Sequence, residues 1–318
     1  MSVKEEVLQI LTEGGGSVSG EKLAASLKVS RNAIWKAVAS LRAQGYDIEG
    51  CPNKGYVLQK APDLLCETEL RKNLEAGNRD LSIFVYPTID STNNEAKRLL
   101  ANGLQELALI VSDEQSAGRG RRGRSFFSPS GTGVYMTLVL RPHAQLQEAT
   151  ALTTAAAVAV TLAVEALTGK RVEIKWVNDV YLDGKKICGI LTEAITDFES
   201  GEVQSVIVGI GVNLHESEFP EELKDRATAL CGEISRNEMI AAITNELMKL
   251  YSELGNKAYL TSYREHSMVI GKEVNYYENE EKRSAYAIDI DDTGALIVRH
   301  EDGSIKALSG GEITLRVV

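Results

Sequence analysis

Cysteine is scarce in this chain of 318 residues, and its copies are far apart. Zinc sites and the disulfide frameworks of small secreted domains appear as sets of cysteines at short, regular spacings. Here no Cys-x-x-Cys pair occurs, and the histidines are equally dispersed. The cysteines are Cys51, Cys66, Cys188 and Cys231, and the histidines are His143, His215, His266 and His300. We therefore predict neither a metal site built from side chains nor disulfides.

Long apolar runs are also lacking. No stretch approaches the roughly 20 apolar residues that a membrane span needs. The alanine-rich segment 153–164 is too short, and we expect it to be a buried helix. The first residues, Met-Ser-Val-Lys-Glu-Glu, lack the apolar core of a signal peptide. We expect a cytoplasmic protein with no membrane partner.

Basic residues are outnumbered, 35 against 45 acidic ones, and they are unevenly distributed. Residues 1–60 carry eight Lys/Arg and six Asp/Glu, a balance of +2, so the other 258 residues carry −12. A composition of 43% hydrophobic and 25% charged residues is typical of folded proteins, and the length allows two or three domains. The basic segment 1–60 indicates a partner that the acidic remainder of the chain, here called the body, would repel.

The first sixty residues predict three helices and a hairpin. Apolar periodicity places helices at 4–12, 21–27 and 31–43, with Ser19 and Ser30 capping the second and third. Short strands at 46–49 and 56–58 flank a tight turn. This order is typical of a winged helix-turn-helix domain, whose third helix enters the major groove of DNA.

Polar residues on the third predicted helix are the candidates for DNA contact. Ile34, Val38 and Leu41 share the inward face of that helix. The DNA-binding candidates are Arg31, Asn32 and Lys36 on the helix and Lys54 on the wing. Trp35 either packs against the domain or contacts DNA. A small protein-interaction module is the alternative interpretation.

The body contains an arginine loop, which we define as residues 113–131. Arg119, Arg121, Arg122 and Arg124 alternate there with Gly118, Gly120 and Gly123. Such a polar run has no hydrophobic face to bury, so we expect a mobile surface loop. Arginine suits phosphate and carboxylate oxygens, and glycine lets the backbone close around an anion. The loop is not a P-loop, because no Gly-Lys-Ser/Thr follows. A solvated basic loop or a non-specific nucleic-acid contact is the alternative.

Other polar groups of the body lie beside predicted elements. Strands are expected at 82–86 and 107–112, with a helix between them capped by Asp90 or Ser91. The start of that helix could bind a polar ligand or serve only as a cap. An Asp-Gly turn at 183–184 predicts a hairpin of 180–182 with 185–192, which carries Lys186. An apolar strand at 203–212 ends beside Asn213.

Five motifs follow one another along the body. They are Asp90-Ser91-Thr92-Asn93, Gln115-Ser-Ala-Gly-Arg-Gly-Arg, Lys175-Trp-Val-Asn-Asp, Lys186 with Gly189-Ile-Leu, and Gly209-Ile-Gly-Val-Asn213. In this order they resemble the biotin–protein ligases. With the N-terminal helices in front, the whole chain resembles the bifunctional bacterial form, a biotin–[acetyl-CoA carboxylase] ligase and biotin operon repressor.

The resemblance implies a two-step reaction. ATP activates the biotin carboxylate, giving biotinyl-5′-AMP and pyrophosphate, and biotin then passes to a lysine of a biotin carboxyl carrier protein. The implied biotin-binding residues are Ser91, Thr92, Asn93, Gln115, Gly118, Arg119, Gly120, Arg121, Lys186 and Gly189. The implied ATP-binding residues are Arg119, Arg121, Arg122, Arg124, Phe126, Asn178, Lys186 and Asn213, with Asn178 and Asn213 also holding Mg²⁺.

The implied catalytic residues are Lys186, Arg121 and Asp179. Cations there would offset the repulsion between the carboxylate and the phosphate and stabilise charge on phosphorus. Asp179 would orient the incoming lysine amine or accept its proton. Val177 and Phe126 stand where the family usually has proline and tryptophan, so no indole is assigned to stack on adenine.

The combined prediction is an α+β chain of three domains. They are a winged helix-turn-helix at 1–60, a mixed α/β ligase domain of the class II synthetase and lipoate-ligase type at 66–268, and an SH3-like β-barrel at 270–318. Helices are expected at 148–167, 237–254 and 258–266, and five short strands near 273–277, 284–290, 296–299, 305–308 and 312–317. Glu312 and Arg316 on the last strand either assist the ligands or are simply solvated.

We further expect a homodimer, favoured by biotinyl-5′-AMP, that binds a two-fold operator DNA. Two rivals are a lipoate–protein ligase and a ligand-sensing transcription factor that has lost catalysis. The Gly-Arg-Gly-Arg sequence and the N-terminal helices argue against the first. Retention of Lys186, Arg119, Arg121 and Asn178 together argues against the second.

Overall fold

The chain divides into two compact units, 1–64 and 65–318. The computed structural model describes residues 2–13, 16–43, 45–51, 55–60, 63–141, 148–196, 202–278, 281–311 and 313–315. The predicted DNA contact Lys54, the predicted pair Glu312 and Arg316, and His143 lie outside the described residues. Segment 59–65 contains Ala61-Pro62 and no clear apolar periodicity, so the sequence predicts a linker there. The boundary between the two units falls inside this segment.

The first unit consists of three helices and a two-stranded hairpin. Its elements are α1 (Val3–Glu13), α2 (Gly20–Leu27), α3 (Arg31–Ala43), β1 (Asp47–Cys51) and β2 (Gly55–Lys60). The Ser19 hydroxyl accepts a hydrogen bond from the Lys22 amide at 3.1 Å, and the Ser30 hydroxyl accepts one from Ala33 at 3.2 Å. Both predicted serine caps are confirmed. The buried core includes Val7, Leu11, Leu23, Ile34, Val38, Leu41 and Ile48.

The second unit contains a seven-stranded mixed sheet flanked by helices. Its elements are α4 (Glu67–Asn73), β3 (Ser82–Ile89), α5 (Thr92–Ala101), β4 (Ala108–Gln115), β5 (Gly133–Leu140), α6 (Glu148–Thr168), β6 (Glu173–Lys175), β7 (Asp179–Leu182), β8 (Lys185–Thr196), β9 (Val203–Asn213), α7 (Arg236–Ser252) and α8 (Tyr259–Glu265). The strand order is β3-β4-β5-β9-β8-β7-β6. Only the β3–β4 pairing within this sheet is parallel.

Both faces of this sheet are covered, which explains its nearly continuous apolar strands. On β4, Ala108 and Ile110 belong to a cluster with Ala96 of α5, whereas Leu109 and Val111 belong to the larger core. Helix α6 lies in that larger core. The segment Thr150–Thr168 is apolar and long enough to cross a membrane by length and composition alone, but most of it is buried inside the unit.

The chain ends in a five-stranded antiparallel sheet. Its strands are β10 (Glu273–Glu278), β11 (Glu281–Ile290), β12 (Leu296–Arg299), β13 (Ile305–Leu308) and β14 (Ile313–Leu315), in the order β13-β12-β11-β10-β14. Val274, Ala287 and Val298 belong to the same buried cluster as the larger sheet. The predicted strands are present, and closure into an SH3-like barrel stays a prediction.

Helix α4 was not expected from the sequence. It has seven residues, and Cys66 occupies its N-cap position, with Sγ accepting a hydrogen bond from the Glu69 amide at 3.5 Å. Cysteine is not among the residues that normally mark a helix start. A short helix with an atypical cap therefore gives no clear sequence signal.

Candidate active site

A cavity of about 370 Å³ opens in the second unit between the start of α5, the arginine loop and strands β7, β8 and β9. Its walls bring together residues that are up to 222 positions apart in sequence, from Ser91 to Ile313. The predicted ligand-binding or catalytic residues that line it are Ser91, Thr92, Asn93, Gln115, Arg119, Gly120, Arg121, Arg122, Arg124, Phe126, Asn178, Asp179, Lys186 and Gly189. Gly118 and Asn213 lie outside this lining.

The start of α5 supplies one wall. Ser91 occupies the N-cap position and is buried, but its hydroxyl makes no capping hydrogen bond. The backbone amide and hydroxyl of Thr92 both donate to Gln115 Oε1, at 2.8 and 3.1 Å. Gln115 Nε2 in turn donates to the Ser128 hydroxyl at 2.9 Å. The helix start is therefore fixed to the root of the arginine loop, and a role for Ser91 as only a cap is not supported.

The floor of the cavity depends on two glycines of β9. A Cβ atom on Gly209 would lie 2.1 Å from Asn93 Oδ1, and one on Gly211 would lie 2.5 Å from the Phe126 ring. Both distances are far below van der Waals contact, so the two side chains occupy space that only glycine leaves open. The Phe126 ring also packs edge-on against Tyr135, with centroids 6.5 Å apart.

The arginine loop has a defined backbone path. Phe126 N donates to Gly118 O at 2.9 Å, and Gly120 N donates to Arg124 O at 2.7 Å. A bridge between Arg119 and Ser125 joins the same two arms. These bonds turn the four arginines over one side of the cavity. Gly118, although outside the lining, contributes to this turn. Mobility of the loop stays a prediction.

The predicted catalytic cations each contact an internal partner. Lys186 Nζ lies 2.7 Å from Asp179 Oδ1, and Arg121 Nη1 donates to Asn178 Oδ1 at 3.0 Å. Asn178 Nδ2 donates to Ile190 O at 2.8 Å, so the orientation of its amide is set. Because an amide oxygen holds Arg121 and a carboxylate holds Lys186, their positive charge is already located within the cavity.

Asn213 has a different environment. Its Nδ2 donates to Thr228 O at 3.1 Å, and its own carbonyl accepts from the Leu230 amide at 3.0 Å. These bonds join the end of β9 to segment 228–230. In this arrangement the Asn213 side chain stabilises the position of segment 228–230 next to the cavity. Its predicted contact with nucleotide and Mg²⁺ stays a prediction.

Several lining residues were given no individual role from the sequence, although some of them stand within the five motifs. They are Ser125, Lys175, Trp176, Tyr181, Ile190, Leu191, Gly209, Ile210, Gly211, Leu223, Arg226, Ala227, Gly311 and Ile313. Lys175 Nζ lies 5.5 Å from the centroid of the Tyr181 ring, a cation–π contact. Trp176 Nε1 donates to Gly294 O at 2.9 Å. Lys175 and Trp176 stand within a motif that the sequence did reveal, whereas Arg226 carries no local signal.

Neither the thiol nor the carboxylate next to Lys186 offers an obvious covalent nucleophile. Cys188 is fully buried, and burial raises the pKa of its thiol well above the ordinary value. A buried thiol of this kind is protonated and inert. Asp179, as noted, is paired with Lys186. The arrangement suits chemistry in which a cosubstrate supplies the activation.

The described lining offers few ligands for a magnesium ion held by the protein alone. Asp179 is the one carboxylate among the described lining residues, and it is already paired with Lys186. Among the described residues, no group of three or more His, Cys, Asp or Glu is placed to hold a metal ion. Magnesium usually reaches such sites bound to substrate phosphates, with few protein ligands. We therefore treat Mg²⁺ as part of the nucleotide substrate.

The predicted DNA contacts of the first unit lie on its surface. Arg31, Asn32, Trp35 and Lys36 of α3 are all exposed, and Trp35 is 59% exposed. Arg31 Nη2 lies 2.7 Å from Glu21 Oε2, but both side chains are in solvent. At this exposure Trp35 does not belong to the buried core of the unit.

Comparison with known families divides the chain into three matched segments. Residues 3–57 match a model described as an HTH domain. Residues 85–213 match the biotin/lipoate A/B protein ligase family, and residues 269–316 match the biotin protein ligase C terminal domain. The middle match contains the five motifs and most of the cavity.

A solved structure and two curated proteins are similar over most of their length. The structure of biotin protein ligase from Aquifex aeolicus in complex with biotin and ATP is 29% identical, with a TM-score of 0.60, and the match covers 74% of this chain and 98% of that one. The bifunctional ligase/repressor BirA of Escherichia coli K12 is 31% identical over 96% of this chain and 95% of its own. BirA of Bacillus subtilis 168 is 35% identical, and the alignment covers 99% of both chains. The chain belongs to the family of the bifunctional ligase/repressor BirA proteins.

Proposed function

We propose that this chain is an ATP-dependent biotin–protein ligase that also represses transcription in response to biotin. Membership of the BirA family and the HTH domain support this function. The observation that carries it is the cavity itself. One continuous cavity joins the polar start of α5 to three positioned cations, Arg119, Arg121 and Lys186.

Biotin would lie with its ureido ring at the start of α5. Ser91, Thr92 and Gln115 offer hydroxyl, amide and carbonyl groups there, and Asn93 and Gly189 shape the adjoining wall. A pocket that presents a few directed polar groups suits a small ring ligand. The carboxylate end of biotin would then face Arg119, Arg121 and Lys186.

In the first half-reaction a biotin carboxylate oxygen attacks the α-phosphorus of ATP, the bond to the bridging oxygen breaks, and pyrophosphate leaves. Two anions must approach each other, so positive side chains at their meeting point lower the barrier. Lys186 and Arg121 are placed for this, because both line the cavity and both are already oriented. Arg122, Arg124, Phe126 and Asn178 would contact the nucleotide.

In the second half-reaction a lysine amine of the carrier protein attacks the acyl carbon, and AMP leaves. Asp179 would orient that amine or accept its proton. Asp179 pairs with Lys186, and its carboxylate would become available to the amine when Lys186 turns to the phosphate. Closure of the arginine loop over the adenylate would keep water away from it.

The repressor half would use α3 on operator DNA. We infer that Arg31, Asn32 and Lys36 contact the major groove and Lys54 the backbone, and that biotinyl-5′-AMP favours a homodimer that matches a two-fold operator. Footprinting of the operator region with and without biotin plus ATP tests this coupling. Equal protection in both conditions would refute it. We also propose a cytoplasmic location and closure of the C-terminal strands into an SH3-like barrel.

Adenylate formation is the decisive assay for the ligase half. Purified protein with Mg²⁺ and ATP is offered biotin or lipoate, and pyrophosphate release is followed. We expect release that depends on biotin. Release with lipoate alone would assign the protein to lipoate ligation, and release with neither would favour a ligand sensor without catalysis.

A further inference from the structure

A cluster of charges next to the cavity centres on Glu193, a residue of β8. Glu193 Oε1 lies 2.7 Å from Lys97 Nζ, and Asn93 Nδ2 donates to Glu193 Oε2 at 2.9 Å. The Glu193 side chain is 21% exposed and does not line the cavity. It therefore stands behind the wall formed by Asn93.

The amide of Asn93 is held on three sides. Its Nδ2 donates to Glu193 and, at 3.2 Å, to Leu191 O, while its Oδ1 accepts from the buried Thr137 hydroxyl at 2.8 Å. Both acceptors face the nitrogen and the donor faces the oxygen, so only one orientation of the amide satisfies all three contacts. Glu193 supplies the only charged contact of these three.

The same carboxylate reaches the arginine loop. Arg119 Nη1 lies 3.6 Å from Glu193 Oε1, and it donates to Asn94 Oδ1 at 3.0 Å. Arg119 lines the cavity, whereas Asn94 and Glu193 approach it from the outer side. The carboxylate of Glu193 on β8 thus contacts both helix α5 and Arg119 of the arginine loop.

A carboxylate near a ligand-binding arginine could either compete with an anionic ligand or position the arginine. The distances favour positioning. The ammonium of Lys97 is nearer to Glu193 than Arg119 is and neutralises most of its charge. The remaining attraction on Arg119 is therefore small at 3.6 Å in a partly solvated site. The larger effect of losing Glu193 would be the loss of the fixed orientation of the Asn93 amide.

Glu193 is also charged under working conditions. Burial by itself raises its pKa, but hydrogen bonds from Lys97 and Asn93 and the nearby positive charge of Lys97 and Arg119 outweigh burial. The pKa consequently lies below the ordinary value of a glutamate. The carboxylate is deprotonated at neutral pH and accepts from both neighbours.

We propose that Glu193 is a positioning residue for the biotin pocket, which fixes the amide of Asn93 in the cavity wall. This inference rests on the proposed function, because it assigns biotin to the cavity.

The test compares Glu193→Gln with Glu95→Gln. Glu95 is a matched control, because it lies on α5, is 17% exposed, and pairs with Arg98 at 3.1 Å without lining the cavity. We expect Glu193→Gln to raise the biotin KM and the calorimetric Kd roughly tenfold, with kcat changed less than about twofold. Glu95→Gln should leave all three within about twofold. Glu193→Asp keeps the charge but is one methylene shorter, so it should give an intermediate KM.

A biotin KM for Glu193→Gln within about twofold of the parent, or a fall in kcat with KM unchanged, would overturn the inference. Thermal unfolding checks that the variants are folded, and if Glu193→Gln does not fold, Glu193→Asp carries the same comparison. If the parent shows no biotin-dependent pyrophosphate release, the proposed function fails. The biotin Kd still tests the positioning role, and a parent that binds no biotin overturns both.

Discussion

The molecule carries two cationic surfaces that hold their charges in different ways. In the cavity of the second unit, Arg119, Arg121 and Lys186 each contact an oxygen of a neighbouring side chain at 3.0 Å or less. On α3 of the first unit, Lys36 is exposed, and the pair that Arg31 makes with Glu21 lies in solvent.

The difference reflects the size and charge of the ligands that we propose. A small anion is recognised at one place, so its cations must be oriented before it arrives. A DNA backbone is a long array of charges, and its attraction depends on how many cations face it rather than on their fixed geometry. Substitution of an oriented cation in the cavity should therefore cause a large loss of rate in one chemical step. Substitution of an exposed cation on α3 should cause a small loss of DNA affinity that depends on salt concentration.

The largest expected effect is the loss of Lys186. Lys186→Ala should lower biotin-dependent pyrophosphate release by roughly 1,000-fold, because a charge aimed at the reacting phosphate is removed. Lys185→Ala is the matched control, since that neighbouring lysine donates to Lys224 O instead. The control should keep near-parental activity, and both variants should unfold at similar temperatures. Full activity of Lys186→Ala would show that an oriented cation in the cavity matters no more to the reaction than an exposed one.

The next effect concerns the most buried cation near the loop. Arg236 is almost fully buried and pairs with Asp113, where the arginine loop begins. Asp113→Asn should cost about 3 kcal/mol, because it removes the negative charge that pairs with the buried guanidinium of Arg236. In a domain of this size that corresponds to a fall of about 10 °C in Tm. The exposed Asp80→Asn should leave Tm unchanged.

The ion pair between Asp113 and Arg236 should also make the stability of the protein depend on pH. Burial raises the pKa of Asp113, but hydrogen bonds from Ser130 and Arg236 outweigh it, so the pKa lies below the ordinary value. The stabilising contribution is thus complete above about pH 4 and is lost as pH falls through the depressed pKa. Urea unfolding between pH 7 and pH 3 should show a smaller acid loss for Asp113→Asn. Parallel curves for the two proteins would contradict this assignment.

A smaller effect tests the shape of the cavity rather than its charge. Gly209→Ala places a methyl group against Asn93, so the wall must shift. We expect the biotin KM to rise about tenfold or less, with a loss of about 1 to 3 kcal/mol in stability. Gly255→Ala is the control, because no atom lies within 4 Å of the added Cβ. An unchanged KM for Gly209→Ala would mean that biotin does not use this wall.

The smallest effect belongs to the exposed surface. Lys36→Ala should lower DNA affinity only a few-fold at moderate salt and reduce the slope of log K against log salt by about 1. Biotin-dependent pyrophosphate release should not change, since Lys36 belongs to the other unit. Lys4→Ala on α1 serves as the control. A loss of ligase activity in Lys36→Ala would show that the two surfaces are not independent.

Local signals account for what could be predicted. Serines at 19 and 30 fixed two helix starts, and the turn at 183–184 fixed the β7–β8 hairpin, where both turn residues have positive φ. The cavity motifs were visible because their residues are neighbours in sequence. Such features depend on a few adjacent residues and so are readable from the chain alone.

Contacts between residues that are far apart in sequence account for what could not be predicted. Glu193 is one polar residue on a long strand, and its importance comes from Asn93 and Lys97 on a helix about 100 residues earlier. Arg226 reaches the cavity from a segment without a motif. Asn213 stands in a motif, yet its amide contacts Thr228 outside the lining. Nothing near these residues in sequence indicates their partners.

The two tryptophans of the chain give each surface its own optical signal. Trp35 is 59% exposed on α3, and Trp176 is 3% exposed beside the cavity. An indole in water emits at longer wavelength than a buried one and is quenched by dissolved iodide. Unlabelled protein should therefore show a red, iodide-sensitive band that responds to DNA and a blue, iodide-resistant band that responds to nucleotide. DNA binding by the first unit and nucleotide binding in the cavity could then be followed in one sample, without a dye.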